Sequence, residues 1–385
     1  MTESVRLAVY TDYAYHRVGD EVHAERAFAL FLGALRHHFD RLVLVGRLSP
    51  QGGDGRYPVG AGVELVGLPF YPKLSHPLQA LPSFGRSLAI FWRSLADIDC
   101  VWLLGPHPLA LVFALLALIR RRRVVLGVRQ DLPLYVRTRH PNRPRLWLAA
   151  WLLERAFRFL GMFVSVIVVG PELAWHYRRS RTVLEIAVSL VGERDLVKPD
   201  AALERAYDGE LRVLAVGRLE EEKNPLLLAD VLERLNREVP RWRLLVCGEG
   251  ELSGELEARL TERGQRDRTE LLGYVAFGEE LIGLYRSSHL LLHTSWTEGF
   301  PAVLPEAFAA GLPVVAADVG GIAGAVGDAA LLVPPGDAGA AALAAQSVVG
   351  DEHLRARLVR AGHEYARSHT IEAETSRVAG FLGGA

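Results

Sequence analysis

The sequence holds only two cysteines, Cys100 and Cys247, each inside an apolar stretch that reads as a strand. Two isolated thiols build no disulfide framework and read as small buried hydrophobes, which points to a reducing, cytoplasmic setting. No apolar run approaches the roughly 18 residues a spanning helix needs. Residues 109–119 are uninterrupted but too short, and the apolar region 147–169 is broken by Glu154, Arg155 and Arg158. A strand signal at residues 5–10 begins so early that no secretory leader is expected. Histidine and cysteine never cluster at zinc-ligand spacing, and low-complexity tracts and short repeats are missing. These absences predict a cytoplasmic protein that is soluble or peripheral on a membrane, without a structural metal or a nucleic-acid partner.

What is present is apolar bulk and an uneven charge. Half of the 385 residues are hydrophobic, enough for two ordinary domains with cores of their own. The net charge is −1, but residues 1–190 carry 24 Lys+Arg against 14 Asp+Glu, and the remainder 20 against 31. A basic first half fits an anionic partner, either a membrane surface or a charged acceptor. The run Arg120-Arg121-Arg122-Arg123, at the end of an apolar helix, would serve an anionic leaflet; it would equally serve as a solvated helix end complementing the dipole.

Short β-rich runs alternate with helical periodicity throughout. Strands are predicted at 5–10, 42–46, 63–66, 100–104, 124–128, 164–169 and 182–188, with helices at 21–37, 109–120, 144–160 and 172–178. Residues 49–82, rich in Gly and Pro, read mostly as loop. After a polar break at 193–208 the pattern resumes, with strands at 211–217, 244–247, 270–272, 290–293, 313–316 and 330–333, and helices at 225–238, 252–263, 279–287 and 301–310. Helical segments at 338–349, 352–368 and 372–382 close the chain. Nearly all-apolar strands between helices imply parallel sheets covered on both faces. The fold class is therefore α/β, with two Rossmann-like domains facing each other across a cleft that holds the ligand. The division predicted is 1–200 for the first domain, 201–368 for the second, and 369–385 for a helix crossing back to the first.

Chemistry concentrates near residues 289–316. Glu298 and Glu306, separated by seven residues, could address one ligand from a loop and from nearly two turns into a helix. Gly299 and Phe300 between them would offer N–H groups at that helix's N-terminus, a natural anion site. Upstream, Arg218 and Lys223 follow a strand and bracket Glu220–Glu222. They suit a diphosphate, as a planar fork and a point charge, or else they are surface cations satisfied by those glutamates. Gly248-Glu249-Gly250 is a turn where backbone could approach a nucleotide, and Gly320-Gly321 is similar. In the first half, His107 and Asp131 follow strands and could touch an acceptor hydroxyl, or could simply be a loop histidine and a helix cap. Asp97-Ile98-Asp99 has the D-x-D spacing of metal-dependent sugar transfer, but it precedes its strand, so no metal is expected there.

These features, in this order, resemble the retaining, nucleotide-sugar-dependent glycosyltransferases of family four, group 1 transferases of GT-B fold. The resemblance rests on Gly217-Arg218-Leu219 with Lys223, Gly248-Glu249-Gly250, Leu272-Gly273-Tyr274-Val275, Glu298-Gly299-Phe300-Pro301 with Glu306, Gly311–Ala316, Gly320-Gly321 and Leu332–Asp337. It covers about residues 211–337. It implies a hexosyltransferase of polysaccharide or glycolipid biosynthesis, working without metal or cofactor on a nucleotide-diphosphate sugar and a hydroxyl of a glycan, lipid-linked or small-molecule acceptor. By the same resemblance Arg218 and Lys223 hold the diphosphate and Glu298 the donor sugar, with Gly299, Phe300 and Pro301 nearby. Glu306 takes the ribose, and Tyr274 and Val275 lie against the base. A leaving phosphate oxygen would deprotonate the acceptor. The family's glycine-rich first loop is here Tyr15–Asp20 with Gly19 alone, and its His-Asp pair is Gln130-Asp131. Pro305, in the first turns of the Glu306 helix, would bend it by withholding a hydrogen bond from Pro301. An epimerase of the same fold, or a non-catalytic protein binding nucleotide sugar or membrane, are the alternative readings.

Overall fold

A computed structural model describes residues 5–19, 21–50, 56–71, 77–237 and 240–384, without the side chains of 77–82. Its contacts separate into two compact units. One comprises Met1–Pro133, Arg143–Leu190 and Ile371–Ala385; the other comprises Leu134–Asn142 and Val191–Thr370.

Among the described residues the first unit has nine strands: β1 (Arg6–Val18), β2 (Glu21–Ala24), β3 (Arg41–Leu48), β4 (Tyr57–Pro58), β5 (Val63–Leu68), β6 (Cys100–Gly105), β7 (Arg123–Val128), β8 (Ser165–Val169) and β9 (Thr182–Ile186). Seven run parallel in the order β5-β3-β1-β6-β7-β8-β9. Strands such as β7 and β8 are buried along almost their whole length, which is why they read as unbroken Val/Ile/Leu runs rather than as alternation. Phe91 and Phe113, stacked with ring centroids 4.0 Å apart, join the covering helices Pro77–Ser94 and Pro108–Ile119 in one core beneath this sheet.

The first eighty residues differ most from expectation. β1 does not stop at residue 10. It bulges between Tyr10 and Ala14 and continues to Val18, where β2 folds back antiparallel on it, Val18 facing Glu21. The region read as a helix over 21–37 is thus a strand, a short helix Phe28–Ala34 and a 3-10 turn, Leu35–His38. Its apolar spacing fits either period, and pairing with β1 decides. The stretch read mostly as loop holds, besides the strand predicted at 63–66 (β5), the short strand β4 and the start of the helix Pro77–Ser94, whose helical signal Pro77, Pro82 and Gly85 obscure. A further short helix, Leu132–Arg139, lies where none was predicted.

Among the described residues the second unit has six parallel strands, β10 (Leu211–Val216), β11 (Trp242–Cys247), β12 (Thr269–Gly273), β13 (Leu290–His293), β14 (Val314–Ala317) and β15 (Leu331–Val333), in the order β12-β11-β10-β13-β14-β15. Helix Leu227–Asn236 buries Leu228, Val231, Leu232 and Leu235 at spacings of three and four. Each such side chain contributes about 1.5–3 kcal/mol relative to exposure. Asp337 and Asp351 start the helices Ala338–Gly350 and Glu352–Ser368 by accepting from the amides of Ala340 and Leu354, at 2.9 and 3.0 Å. Strand order reverses between β10 and β13, and in open α/β sheets ligands bind beyond the carboxyl ends of strands at such a reversal. The last helix, Ile371–Gly383, belongs to the first unit. Arg123 donates to the carbonyl of Phe381 (2.7 Å), and Arg377 to that of Glu185 (2.8 Å).

Candidate active site

β10 ends at Val216, and Gly217-Arg218-Leu219 then runs beside the turn after β11. The amide of Gly217 donates to Cys247 O and that of Leu219 to Glu249 O, both at 2.9 Å. A Cβ on Gly248 would stand 1.8 Å from Gly217 O, and one on Gly250 2.2 Å from Leu219 O. These glycines exist so that two loops can touch. The N–H of Gly248 is itself taken by Gly273 O at 2.7 Å. Gly248 therefore shapes the Arg218 loop, with its own amide engaged inside the protein.

The loop after β10 carries a compact charge cluster. Arg218 bonds Glu220 and, at 2.7 Å, Glu222 Oε1. Arg139, at the end of the helix Leu132–Arg139, binds the same Glu220 and lies 3.4 Å from Glu222 Oε1. Burial pushes the Glu220 carboxyl up, but Arg139 and Arg218 outweigh it and hold the group at about 2. Asn224 turns the chain at φ 49°, a left-handed position asparagine tolerates.

Lys223 points instead to the loop after β13. Its Nζ lies 2.5 Å from Glu298 Oε1, which also accepts from Ser295 Oγ (2.7 Å) and His293 Nε2 (3.0 Å). Burial would raise the Glu298 carboxyl, but Lys223 and then His293 outweigh it and hold it well below the usual range. Two further bonds stitch the loops together: Thr294 Oγ1 to Lys223 O at 3.0 Å, and Trp296 N to Glu222 O at 2.9 Å.

Glu306 occupies a different environment. Its Oε2 accepts from Tyr285 OH at 2.7 Å, beside a cavity of about 10 Å³ lined by Phe277, Ile282 and Ala309. Burial pushes its carboxyl up to about 7, the Tyr285 bond opposing only in part. The two glutamates that looked like a matched pair are thus set apart, one ionised and the other poised near neutrality. The helix carrying Glu306 is Val303–Ala309, with Ala302 as its cap. Glu306 is therefore in the first turn, not nearly two turns in, and the amides of Gly299 and Phe300 precede the helix instead of forming its N-terminus. Pro305 is the third helical residue, where an N–H has no partner within the helix to lose. It bends nothing, and Glu306 N still reaches Ala302 O at 3.3 Å. Phe300 and Pro301 are buried, Tyr274 is exposed beyond the end of β12, and Val275 is half-buried. Gly320 sits at φ 58° after β14.

In the first unit His107 caps the helix Pro108–Ile119. Its Nδ1 accepts from Leu109 N (3.3 Å) and lies 2.9 Å from Tyr10 OH, which leaves the proton on Nε2, 3.5 Å from Asp12 Oδ1. Arg47 Nε approaches the same Asp12 oxygen at 3.2 Å, and Tyr71 OH donates to it at 2.5 Å. His107 is thus the buried member of a polar network, and burial lowers its basicity. Asp131 lies 3.5 Å from His176. Gly19, at φ 63°, is exposed at the hairpin tip between β1 and β2; Asp20 of that stretch lies outside the described residues. Asp99 of the D-x-D match accepts from Arg6 Nε, Nη2 and N at 2.8–3.0 Å, which occupies its carboxylate. The arginine run is largely spent on structure. Arg120 stacks 4.0 Å over Trp92, Arg122 donates to Ala96 O, and Arg123 to Phe381 O.

Sequence reasoning passed over His293, Ser295, Arg139 and Tyr285. His293 carried the best signal, a histidine at the carboxyl end of a strand beside the strand-order reversal. Arg139 and Tyr285 carried none, since tertiary placement alone brings them to Glu220 and Glu306.

Residues 200–365, which lie within the second unit, match the family model described as Glycosyl transferases group 1. The gpi3 subunit of phosphatidylinositol N-acetylglucosaminyltransferase from Schizosaccharomyces pombe is 31% identical over 155 residues, which are 38% of this chain and 33% of that protein. The chain spans less than half the length of such curated relatives. Among solved structures, the sucrose-phosphate synthase of Thermosynechococcus elongatus superposes with a TM-score of 0.74 at 19% identity, covering 98% of both chains. Anabaena Alr3699/HepE, solved with UDP-glucose, gives 0.71 at 19% identity, covering 99% of this chain and 100% of that one. The fold is GT-B, with two Rossmann-like units.

Proposed function

We propose that the protein is a retaining glycosyltransferase, moving a hexose from a nucleotide-diphosphate sugar to a hydroxyl of a glycan, glycolipid or small-molecule acceptor without a metal. One observation carries the reading: Arg218 and Lys223 project from one loop at the strand-order reversal, and Lys223 is aimed by Glu298, His293 and Ser295 from the other. That Anabaena Alr3699/HepE was solved with UDP-glucose supports a nucleotide-sugar donor.

The chemistry follows from charge. As the sugar–phosphate bond breaks, negative charge grows on the diphosphate and positive charge on the anomeric carbon. Arg218 and Lys223 stabilise the diphosphate once its oxygens replace Glu220 as Arg218's partner, the role a divalent cation plays in D-x-D enzymes. Glu298, kept ionised, accepts from donor-sugar hydroxyls, and Glu306 accepts from the ribose. A phosphate oxygen of the leaving group takes the acceptor proton on the face it vacates, so configuration is retained and no protein base is required.

The test is a thermal-shift panel of nucleotide diphosphates and nucleotide sugars, followed by transfer assays in chelator with the stabilising donor. A ligand that binds only the native state at a hundredfold excess over its Kd stabilises by about 2.7 kcal/mol. Stabilisation by one donor, with transfer that survives chelation, is expected. An epimerised donor formed without acceptor would replace transfer with epimerisation.

A further inference from the structure

We propose that the outward face of the helix Pro144–Gly161, with the arginine cleft beside it, is a docking surface for anionic phospholipid headgroups. The inference stands on the first unit's surface and holds whether or not the transferase reading does.

The helix buries Ala150, Glu154, Phe157 and Gly161 on one face. Its other face carries Leu148, Trp151, Leu152, Arg155, Phe159 and, just beyond its end, Met162, spaced by three and four residues and all exposed. Trp151 is 49% exposed and Phe159 62%. A solvated face has no use for such residues, and leaving them in water is unfavourable. The neighbouring helix Pro108–Ile119, packed against this one, leaves Leu115 and Ile119 exposed as well.

Charge decides the occupant. Arg155, Arg158, Arg178 and Arg179 line a cleft of about 540 Å³ together with Phe159 and Met162. Arg178 stacks 3.9 Å over the ring of Trp175, itself 61% exposed, and Arg155 lies 5.3 Å from the ring of Trp151. Between residues 143 and 181 seven arginines meet two glutamates, and one of these, Glu154, turns inward to Tyr177 OH at 2.8 Å. A second cleft of about 450 Å³, bearing Leu118, Arg122, Phe163 and Arg181, continues the same basic and apolar texture. Tryptophan and phenylalanine tips interleaved with guanidinium groups match the boundary between acyl chains and phosphates. A symmetric second copy would set one arginine cleft against another. No helix among the described residues is long and apolar enough to cross a membrane, so contact would be from one side.

The full chain, without donor, is floated with vesicles of phosphatidylcholine alone or mixed with phosphatidylglycerol. Binding to the mixed vesicles only is expected, with tryptophan emission quenched by bromine-labelled acyl chains. The double substitution Arg155→Glu/Arg178→Glu should lower partitioning at least about tenfold, and Trp151→Ser/Phe159→Ser should lower it without changing charge, both at unchanged melting temperature. Equal binding to neutral vesicles, no binding, or binding indifferent to both variants overturns the proposal. So does a dimer that Trp151→Ser disperses, which would assign the face to a second copy.

Discussion

Lys223 Nζ lies 2.5 Å from Glu298 Oε1, although the two residues are seventy-five positions apart. They meet because β10 and β13 are neighbours in the sheet while lying far apart in sequence, and each residue is in the loop its strand delivers. The contact is geometrically over-determined. His293 closes strand β13 and holds the same oxygen, and the Thr294 hydroxyl and the Trp296 amide fasten the two loops by donating to the carbonyls of Lys223 and Glu222. Such fastening lets a flexible lysine act as a fixed charge, which electrostatic stabilisation of a leaving group requires.

Glu298→Gln keeps the side chain's size and removes the charge that balances Lys223. Transfer should fall by about a hundredfold or more. The pH dependence of stability should change with it. The Glu298 carboxyl is held below its unfolded value, so on acidification the unfolded chain takes up the proton first and stability falls. The wild-type contribution is complete above about pH 4.5 and is lost below it. Thermal melting from neutral to acid pH should therefore decline less steeply in Glu298→Gln than in the wild type. Parallel curves would remove the ion pair from the account.

On the proposed reading Glu220 competes with the donor diphosphate for Arg218. It binds both Arg139 and Arg218, and ligand phosphates would have to replace it as Arg218's partner. Glu220→Gln removes the competitor and should tighten nucleoside-diphosphate binding by about three- to tenfold, since a partly exposed ion pair is worth about 0.2–1 kcal/mol and its local field adds to that. Titration calorimetry reads the change directly. Weaker binding would mean that Glu220 aims Arg218 and does not compete for it.

How much of this was legible in the sequence depended on how local the signal was. Most of the second unit's strands and longer helices were read to within two residues, because unbroken runs such as Leu244–Val246 and Leu290–Leu292 are bounded by turn residues and too short for buried helices; the short helices Pro199–Leu203 and Ile322–Val326 were not read. Lys223, Arg218 and Glu298 were found because they follow such strands. The β1–β2 hairpin was not legible, since residues 21–37 satisfy both periods and the choice is made by pairing with a distant segment. The contrast between Glu298 and Glu306 was equally hidden. Identical residues diverge because one meets Lys223 and the other meets Tyr285, both supplied from elsewhere in the chain.

Gly248→Ala isolates the packing of the two loops from their charges. The new Cβ would fall 1.8 Å from Gly217 O, a backbone atom with no rotamer to yield. The Arg218 loop must shift, at a cost of about 1–3 kcal/mol or more. A lowered melting temperature and a transfer rate resembling that of Arg218→Ala are expected. A Gly248→Ala protein with normal melting and normal transfer would show that the loops separate freely.

If Glu306 takes the donor's ribose as proposed, it should couple donor binding to pH. In the free protein burial pushes its carboxyl up to about 7, against an unfolded value near 4.5. Between those limits the folded state holds a proton that the unfolded state has released, so stability falls as pH rises through the window, by about 1–3 kcal/mol. Glu306→Gln, neutral at every pH, should flatten that part of the profile. Ribose hydroxyls donate to a carboxylate and favour its charged form, so donor affinity should run the opposite way and rise from about pH 6 to pH 8. A nucleotide sugar is the proper probe, because its bridged phosphates carry no proton in this range. At pH 6 binding should release a proton, visible as a buffer-dependent enthalpy in calorimetry. Glu306→Gln should bind about tenfold more weakly at pH 8, with no proton release and little pH dependence, as expected for a lost charged hydrogen bond worth about 1.5–3 kcal/mol. A wild-type affinity that is flat with pH, and equal to that of the variant, would take Glu306 out of the donor site and leave it as a buried partner of Tyr285.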